Sequence, residues 1–347
     1  MARLTPNEAD RFFIRRLAYV VAAAGLILFV WRVADLLLLA FGALLGAVFL
    51  STVGEWLQHR IRVPRGVGVG LAALLLFGVI GAIGWLFGTE IGSQAHQLAT
   101  KLPERFQRLQ AQWSNSPLGG LVLSSGKTAG GGSKVANLLL GTGWGAGEVL
   151  VNFIVILIGA LFFAANPALY RRGLLLLVPP PYRPVAADAV DDVGRALRLW
   201  LLTQILSMGL MGVMIAGGLW LSGLPSWGAL GVLGGLSEFI PYVGPTLAML
   251  PALAEPLAGG GGSIWGVIAT YALVRLVQAN LITPLISQRV VHVPPGLYIF
   301  LILGMGFAFG TFGIFFSGAL AVAFFTLVRR LYLADTLGET IPHPGEE

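Results

Sequence analysis

Few residues in this chain have chemistry to offer, because charge is scarce. Of 347 residues, 56% are hydrophobic and 11% are Asp, Glu, Lys or Arg. Two ionisable side chains, Glu238 and Arg275, fall inside long apolar stretches. A charge at bilayer depth costs about 2.5–3.5 kcal/mol on insertion scales, so each needs a partner or a task. Glu238 opens the stretch Glu238-Phe239-Ile240-Pro241-Tyr242-Val243-Gly244-Pro245, with Pro251 beyond it. Prolines four apart do not sit in a regular helix. Pro245 has no N–H for the carbonyl of Pro241, and each proline disfavours helical geometry at the residue before it. The freed backbone groups are tolerated at membrane depth only when buried in protein or lining a wet cavity. The stretch therefore predicts a broken helix or re-entrant hairpin that offers carbonyls, amides, the Tyr242 hydroxyl and Glu238 to a translocated solute. The plainer alternative is a proline kink that shapes the bundle, with Glu238 paired to Arg275.

A second interrupted stretch runs Gln278-Ala279-Asn280-Leu281-Ile282-Thr283-Pro284 and on to Val293-Pro294-Pro295-Gly296. It adds amide groups next to Arg275, which either holds an anionic or hydroxyl-rich ligand or makes a structural salt bridge. Two interrupted runs in one half of a membrane protein point to a binding site. The candidate translocation residues are Glu238, Pro241, Tyr242, Gly244, Pro245, Arg275, Gln278, Asn280 and Pro284. Gly304, Gly306, Gly310 and Gly313 follow, and Gly306-x-x-x-Gly310 is a small-xxx-small face, read as helix packing or as the surface of a moving element.

The elements that must position these groups are apolar helices. Mean hydropathy is +0.83, and an ordinary soluble domain carries about 25% charged residues. Eight apolar runs predict an all-α polytopic membrane protein of about eight transmembrane helices, with broken or re-entrant helices in its C-terminal half. Residues 1–88 form a three-helix membrane region. Residues 89–145 hold an external amphipathic helix, with Ile91, Ala95, Leu98, Leu102, Phe106, Leu109 and Trp113 on one face, and a Gly/Ser-rich linker. A fourth span covers 146–165 and a cytoplasmic segment 166–200, whose apolar stripe leads helically into the fifth run. The transport core is 201–330 and a cytoplasmic tail 331–347. The last run, Leu297 to Val328, is too long for one straight span and is expected to tilt or break near Gly310 or Gly313. With both termini inside, Arg3, Arg11, Arg15, Arg16, Arg60, Arg62, Arg65, Arg171, Arg172, Arg183, Arg195, Arg198, Arg329 and Arg330 are cytoplasmic. Only Arg32, Lys101, Arg105, Arg108, Lys127, Lys134 and Arg289 are then outside, which satisfies the positive-inside rule.

Other chemistry is not expected. There is no cysteine, hence no disulfide or thiolate site. The dispersed histidines (His59, His96, His292 and His343) lack zinc spacing, so no metal is implied. Gly126-Lys127-Thr128 lacks the first glycine of a phosphate-binding loop, since position 121 is Leu121. No nucleophile–base pair lies within the runs, so no enzyme and no cofactor are expected. The formal charge of +6 sits in short loops and suits lipid head groups rather than nucleic acid.

The second half resembles the AI-2E transporter family, named for autoinducer-2 exporters. The resemblance rests on Gln204, on Leu221-Ser222-Gly223-Leu224-Pro225, on the Glu238–Pro245 stretch, on Asn280 with Pro284, on Val293-Pro294, and on Gly304, Gly310 and Gly313, in that order. It covers roughly residues 195–330, and the first half agrees only in layout. It implies a multi-pass protein of a prokaryotic inner membrane with both termini cytoplasmic, forming homo-oligomers and exporting or exchanging a small polar solute such as an autoinducer-2-like signal. Coupling to H+ or Na+ is part of what it implies. Gln204, Gly223, Pro225 and the four glycines are then packing or gating positions. Gln278 stands where related sequences often carry an acid, and Phe316-Ser317-Gly318 replaces a proline-containing step. The readings in play are a secondary carrier working by alternating access without ATP, a cation/proton antiporter using Glu238, and a non-transporting scaffold.

Overall fold

The computed structural model describes residues 33–79, 146–240, 243–257, 259–282 and 295–336, with isolated positions between 17 and 25 and between 81 and 85. Most of the first apolar run, the amphipathic segment with its linker, the tail beyond 336, and Pro241, Tyr242 and Pro284 lie outside them.

The described residues are helical apart from short turns. They form α1 (Ala34–Ile61), α2 (Arg65–Val79), α3 (Ala146–Ala165), α4 (Pro167–Leu176), α5 (Arg183–Leu221), α6 (Trp227–Ser237), α7 (Val243–Leu257), α8 (Ile264–Val277) and α9 (Pro295–Leu327). A π-helical turn, Gln278–Ile282, ends α8, and another, Val328–Thr336, ends α9. Among the described residues, four stretches are long and apolar enough to cross a bilayer alone: Ala34–Ile61, Pro180–Leu221, Ile264–Ile282 and Phe312–Tyr332. The protein is an all-α polytopic membrane protein.

α1, α2 and α3 join through small residues. A Cβ at Gly46 would meet Ala160, and one at Gly54 would meet the backbone at Val69. Such approach lets dispersion forces act where lipid supplies no hydrophobic drive. Asn166 caps α4 by accepting from the Leu169 amide, Pro167 occupies the first turn, and the chain bends 91° away from α3. α4 then meets the polar start of α5, where Arg171 forks onto Asp191 with bonds of 2.8 and 2.7 Å. Arg198 reaches Glu55 of α1 at 2.8 Å, and Arg330 reaches Asp188 at 3.0 Å. These pairs define a basic face of the molecule.

α5 is the ruler for depth. Its 39 residues rise about 58 Å, so its first turns stand clear of the slab that its apolar part spans. It ends opposite the basic face in a tight cap. Gly223 has φ 75°, the Leu224 amide donates to the Leu219 carbonyl, and the Gly223 amide to that of Trp220. This is a Schellman motif, in which only glycine takes the left-handed position without strain, and Pro225 follows it.

From that cap α6 runs back along α5, Gly231 against Ala216 and Gly235 against Gly212. The chain reverses after Glu238, and α7 climbs back. Ser226 before α6 donates to Glu255 near the end of α7 at 2.9 Å, so both ends of the pair lie together. The sixth apolar run, which sequence leaves as a kinked span or a hairpin, is a helical hairpin that enters and leaves on the face opposite the basic one. Gly244 is required at its turn, because a Cβ there would collide with the Ser237 carbonyl.

α9 carries a second hairpin. Gly310 has φ 61° and ψ −145°, which breaks the helix where the length of the run demanded it. Gly306 packs on Ile314, and a Cβ at Gly313 would overlap the Met305 carbonyl. In a continuous helix residues eight apart are separated by about 12 Å, so these contacts mean that the chain doubles back. The returning arm ends at Arg330 on the basic face.

The two reversals are testable in stability and in topology. Gly244→Val and Gly313→Ala each force backbone to move and are expected to cost about 1–3 kcal/mol or more, read as a lower thermal midpoint in detergent. The chain lacks cysteine, so single cysteines report sidedness directly. Trp227→Cys and Leu257→Cys are expected to react with an impermeant maleimide from one side of a sealed vesicle, and Arg172→Cys from the other.

Candidate functional site

The tip of the first hairpin is where the polar groups converge. Glu238 follows the last residue of α6 and is 4% exposed. Its Oε1 accepts from Gln278 Nε2 at 2.5 Å, and its Oε2 lies 3.7 Å from Arg275 Nη1. Arg275 Nη1 also donates to Gln278 Oε1. The Gln278 amide thus donates to the acid and accepts from the base, leaving both well placed. The Glu238 carbonyl, freed by the helix end, accepts from Gln204 Nε2 of α5 at 2.5 Å, and Gln204 is buried.

Gln204 lies 17 residues from the end of α5, about 25 Å along the axis. The cluster therefore lies within the apolar part of α5, toward the basic face. Arg275 approaches from α8, whose cap Ser263 accepts from the Gly266 amide and sits by the α5 turn, its own amide donating to the Ser222 carbonyl at 3.1 Å. Small residues bring α8 so close: a Cβ at Gly218 would overlap Thr270, and one at Gly266 would meet Ser222. Tyr271 Oη, buried, donates to the Ala248 carbonyl of α7 at 3.1 Å and ties the hairpin to α8.

The two interrupted stretches thus meet inside the protein through Glu238, Arg275 and Gln278. Gly244 and Pro245, both buried, form the start of α7 beside the tip. Asn280 does not join them. Its amide donates to the Leu276 carbonyl four residues earlier, and the residue is exposed. Gly223 and Pro225 build the far turn, away from the cluster. A Cβ at Gly310 would meet nothing nearby and the residue has φ 61°, while one at Gly306 would meet Ile314 of the returning arm. Gly304 faces open space.

Sequence reasoning misses the aromatic seam between the hairpins. Phe239 stacks on Phe315 at 4.3 Å between ring centroids and meets Trp200 edge-on at 5.7 Å. Phe316 turns to Phe41 of α1, and Ser317 bonds back to the Ile314 carbonyl at 2.6 Å. Gly318 leaves room for Trp200 and Tyr298. Nothing in the spacing marks Phe239 and Phe315 as partners; their conjunction needs both reversals. A separate groove of about 710 Å³ runs between α5 and α6, lined by residues such as Ile205, Val213, Trp227 and Leu236. Neither Glu238, Arg275 nor Gln278 lines it.

A family model described as AI-2E family transporter matches residues 17–332. The chain belongs to the AI-2E transporter family. It is similar to YueF of Bacillus subtilis (strain 168), which carries a provisional transport name, with 24% identity over 288 residues, 78% of this chain and 77% of that one. It is also similar to YrrI of the same strain, again provisionally named for transport, with 26% identity over 145 residues, 42% of this chain and 41% of that one. As an AI-2E family protein with apolar helices it is a multi-pass membrane transporter. The match extends well before the ordered motifs of the second half, so the N-terminal helices belong to the family too.

The Gln204 contact gives a direct check. Gln204→Leu keeps the volume roughly constant but strips a buried carbonyl of its donor, which costs about 1–3 kcal/mol. Unfolding of the purified variant should shift down accordingly, whereas Asn280→Leu, which loses only an exposed bond within its own helix, should shift far less.

Proposed function

We propose that this transporter is a secondary carrier for a small polar solute, moved by alternating access without ATP hydrolysis. One observation carries the reading: a carboxylate, a guanidinium and an amide converge at a broken helix inside the apolar slab. A scaffold gains nothing from such groups, since replacing buried ion pairs by apolar side chains is often neutral or stabilising. A carrier needs them, because discontinuous helices expose backbone and side-chain dipoles to a solute at membrane depth. The pathway residues are Glu238, Arg275 and Gln278, with Pro241, Tyr242, Gly244, Pro245 and Pro284 shaping the breaks. The solute class suggested by the family name is an autoinducer-2-like signalling molecule.

The basic face is the cytoplasmic one in this reading, as the positive-inside rule requires, in a prokaryotic inner membrane, and the working form is a homo-oligomer. A second reading is supported by the burial of Glu238: a sodium or other cation exchanged for a proton at that carboxylate. In that case Glu238→Gln abolishes pH-driven cation flux while other solutes are ignored.

The test is flux through purified protein in liposomes, screened across polar solutes with and without a proton or sodium gradient. Arg275→Ala and Tyr242→Phe are expected to slow solute flux while leaving the folded oligomer intact by gel filtration. Full flux in both variants would remove this pocket from the pathway.

A further inference from the structure

Arg275 is held at one edge and open at the other. Its side chain is 37% exposed, although its Nη1 is engaged by Gln278 and faces Glu238, whose own side chain is 6% exposed. Twelve residues of α8 separate Arg275 from the cap at Ser263, about 18 Å of rise into the slab. A guanidinium open at that depth does not face hydrocarbon; it faces water or another charge. The fork has five N–H donors in one plane, a match for the edge of a carboxylate or phosphate. Gln278 bonds to it, Glu238 pairs with it, and Tyr271 feels its charge.

Neutrality of the cluster rests on one guanidinium and one carboxylate. An added anion on Arg275 would leave one uncompensated negative charge in a poorly polarisable surrounding, which is strongly opposed. A proton on Glu238 removes that charge. The other groups that reach Glu238, Gln204 from α5 and Gln278 after α8, do not titrate. Tyr271 on α8 has its hydroxyl committed to the Ala248 carbonyl.

We propose that the solute taken by this site is a small anion bound at the open edge of Arg275, and that it crosses together with one proton carried by Glu238. The proposal rests on the carrier reading above and specifies its substrate class and coupling. The charges balance. Before binding the site holds Arg275 as a cation and Glu238 as an anion. After binding it holds the Arg275 cation, the solute anion and neutral Glu238. With a monovalent anion the net cargo is one negative charge and one proton, so transport is electroneutral.

The experiment uses the full chain in liposomes that contain a pH-sensitive dye, with the membrane potential clamped by potassium and valinomycin. Acetate, lactate and pyruvate, all monoanions at neutral pH, are the anionic probes; glycerol and ribose are the neutral ones. Protein-free liposomes supply the background from passive permeation. The expected result is protein-dependent flux of at least one anion, with protons moving in step and no response to the clamped potential. Arg275→Gln should lower that flux about tenfold or more, the factor carried by one charge-assisted hydrogen bond, while Arg275→Lys keeps part of it. Glu238→Gln should keep anion binding, read as protection of the thermal midpoint, but lose the accompanying protons. The double variant Glu238→Gln with Arg275→Gln leaves no buried lone charge and controls for folding. Flux of glycerol or ribose without any anion flux overturns this inference and leaves the carrier reading standing. Anion flux that ignores Arg275→Gln, or that follows the clamped potential, also overturns it. Absence of flux for every probe overturns it too, and counts against the carrier reading as well.

Discussion

A helix that ends inside a bilayer leaves carbonyls and amides with no water to satisfy them, and the second half of this protein is organised around that constraint. The tip of the first hairpin shows how it is met. Gln204 supplies a donor to the Glu238 carbonyl, and Gln278 supplies one to the Glu238 carboxylate while accepting from Arg275. An acid at position 278 would set two carboxylates against one guanidinium and leave the cluster negative. The amide keeps it neutral and uses its donor and acceptor ends at once. Removing any single member exposes the desolvation cost of the others, so the cluster behaves as a unit and not as a set of separable contacts.

The same constraint explains the glycines. A hairpin dipping into lipid gains little from apolar burial, since the hydrocarbon is as apolar as its side chains; it is held by close approach instead. α6 lies on α5 through Gly212, Gly231 and Gly235, and α8 lies on α5 through Gly218 and Gly266. The second hairpin, around Gly310, is packed by aromatic rings. Phe315 and Phe316 reach Phe239, Trp200 and the Phe41 side of α1. One hairpin thus enters from the face bearing the four-glycine loop Gly259–Gly262 and the other returns to the basic face. Their contact among the described residues includes a ring stack, Phe239 on Phe315.

Sequence makes the breaks visible and leaves their direction hidden. Two prolines around Gly244, and a last run too long to cross straight, are local facts with local consequences, so Glu238 and Gly310 stand out from the amino-acid order alone. The polar lead-in to α5 is legible for the same reason: the stripe of Val190, Val193, Leu197 and Trp200 keeps helical spacing, and α5 runs unbroken from Arg183 to Leu221. Whether a broken run continues or turns back depends on which surfaces it meets, and the Ser226–Glu255 bond that closes the first hairpin links residues 29 apart. Proximity along the chain groups Asn280 with Gln278. The π-helical turn instead directs it back to the Leu276 carbonyl, away from Glu238. Gly306 and Gly310 fit a packing motif by spacing alone, and the positive φ of Gly310 assigns it to a turn.

The ion pairs on the basic face bear on which part of the molecule is free to move. Exposed pairs contribute about 0–1 kcal/mol each, so Arg171–Asp191, Arg198–Glu55 and Arg330–Asp188 add little to stability singly. Their consequence is geometric, because all three lie on the N-terminal half of α5 and bring α1, α4 and the end of α9 to one helix. α5 is anchored at its other end by the Schellman turn, where the Ser263 amide of the next loop is bound to Ser222. A helix fixed at both ends and packed along its length by glycines is a poor hinge. Among the described residues, regular α-helix gives way to other geometry at the tip Glu238–Ile240, at the π-helical turn after α8 and at Gly310. Of the described segments around Arg275, these three are better suited to absorb a rearrangement than α5, which stands as the wall they pack against.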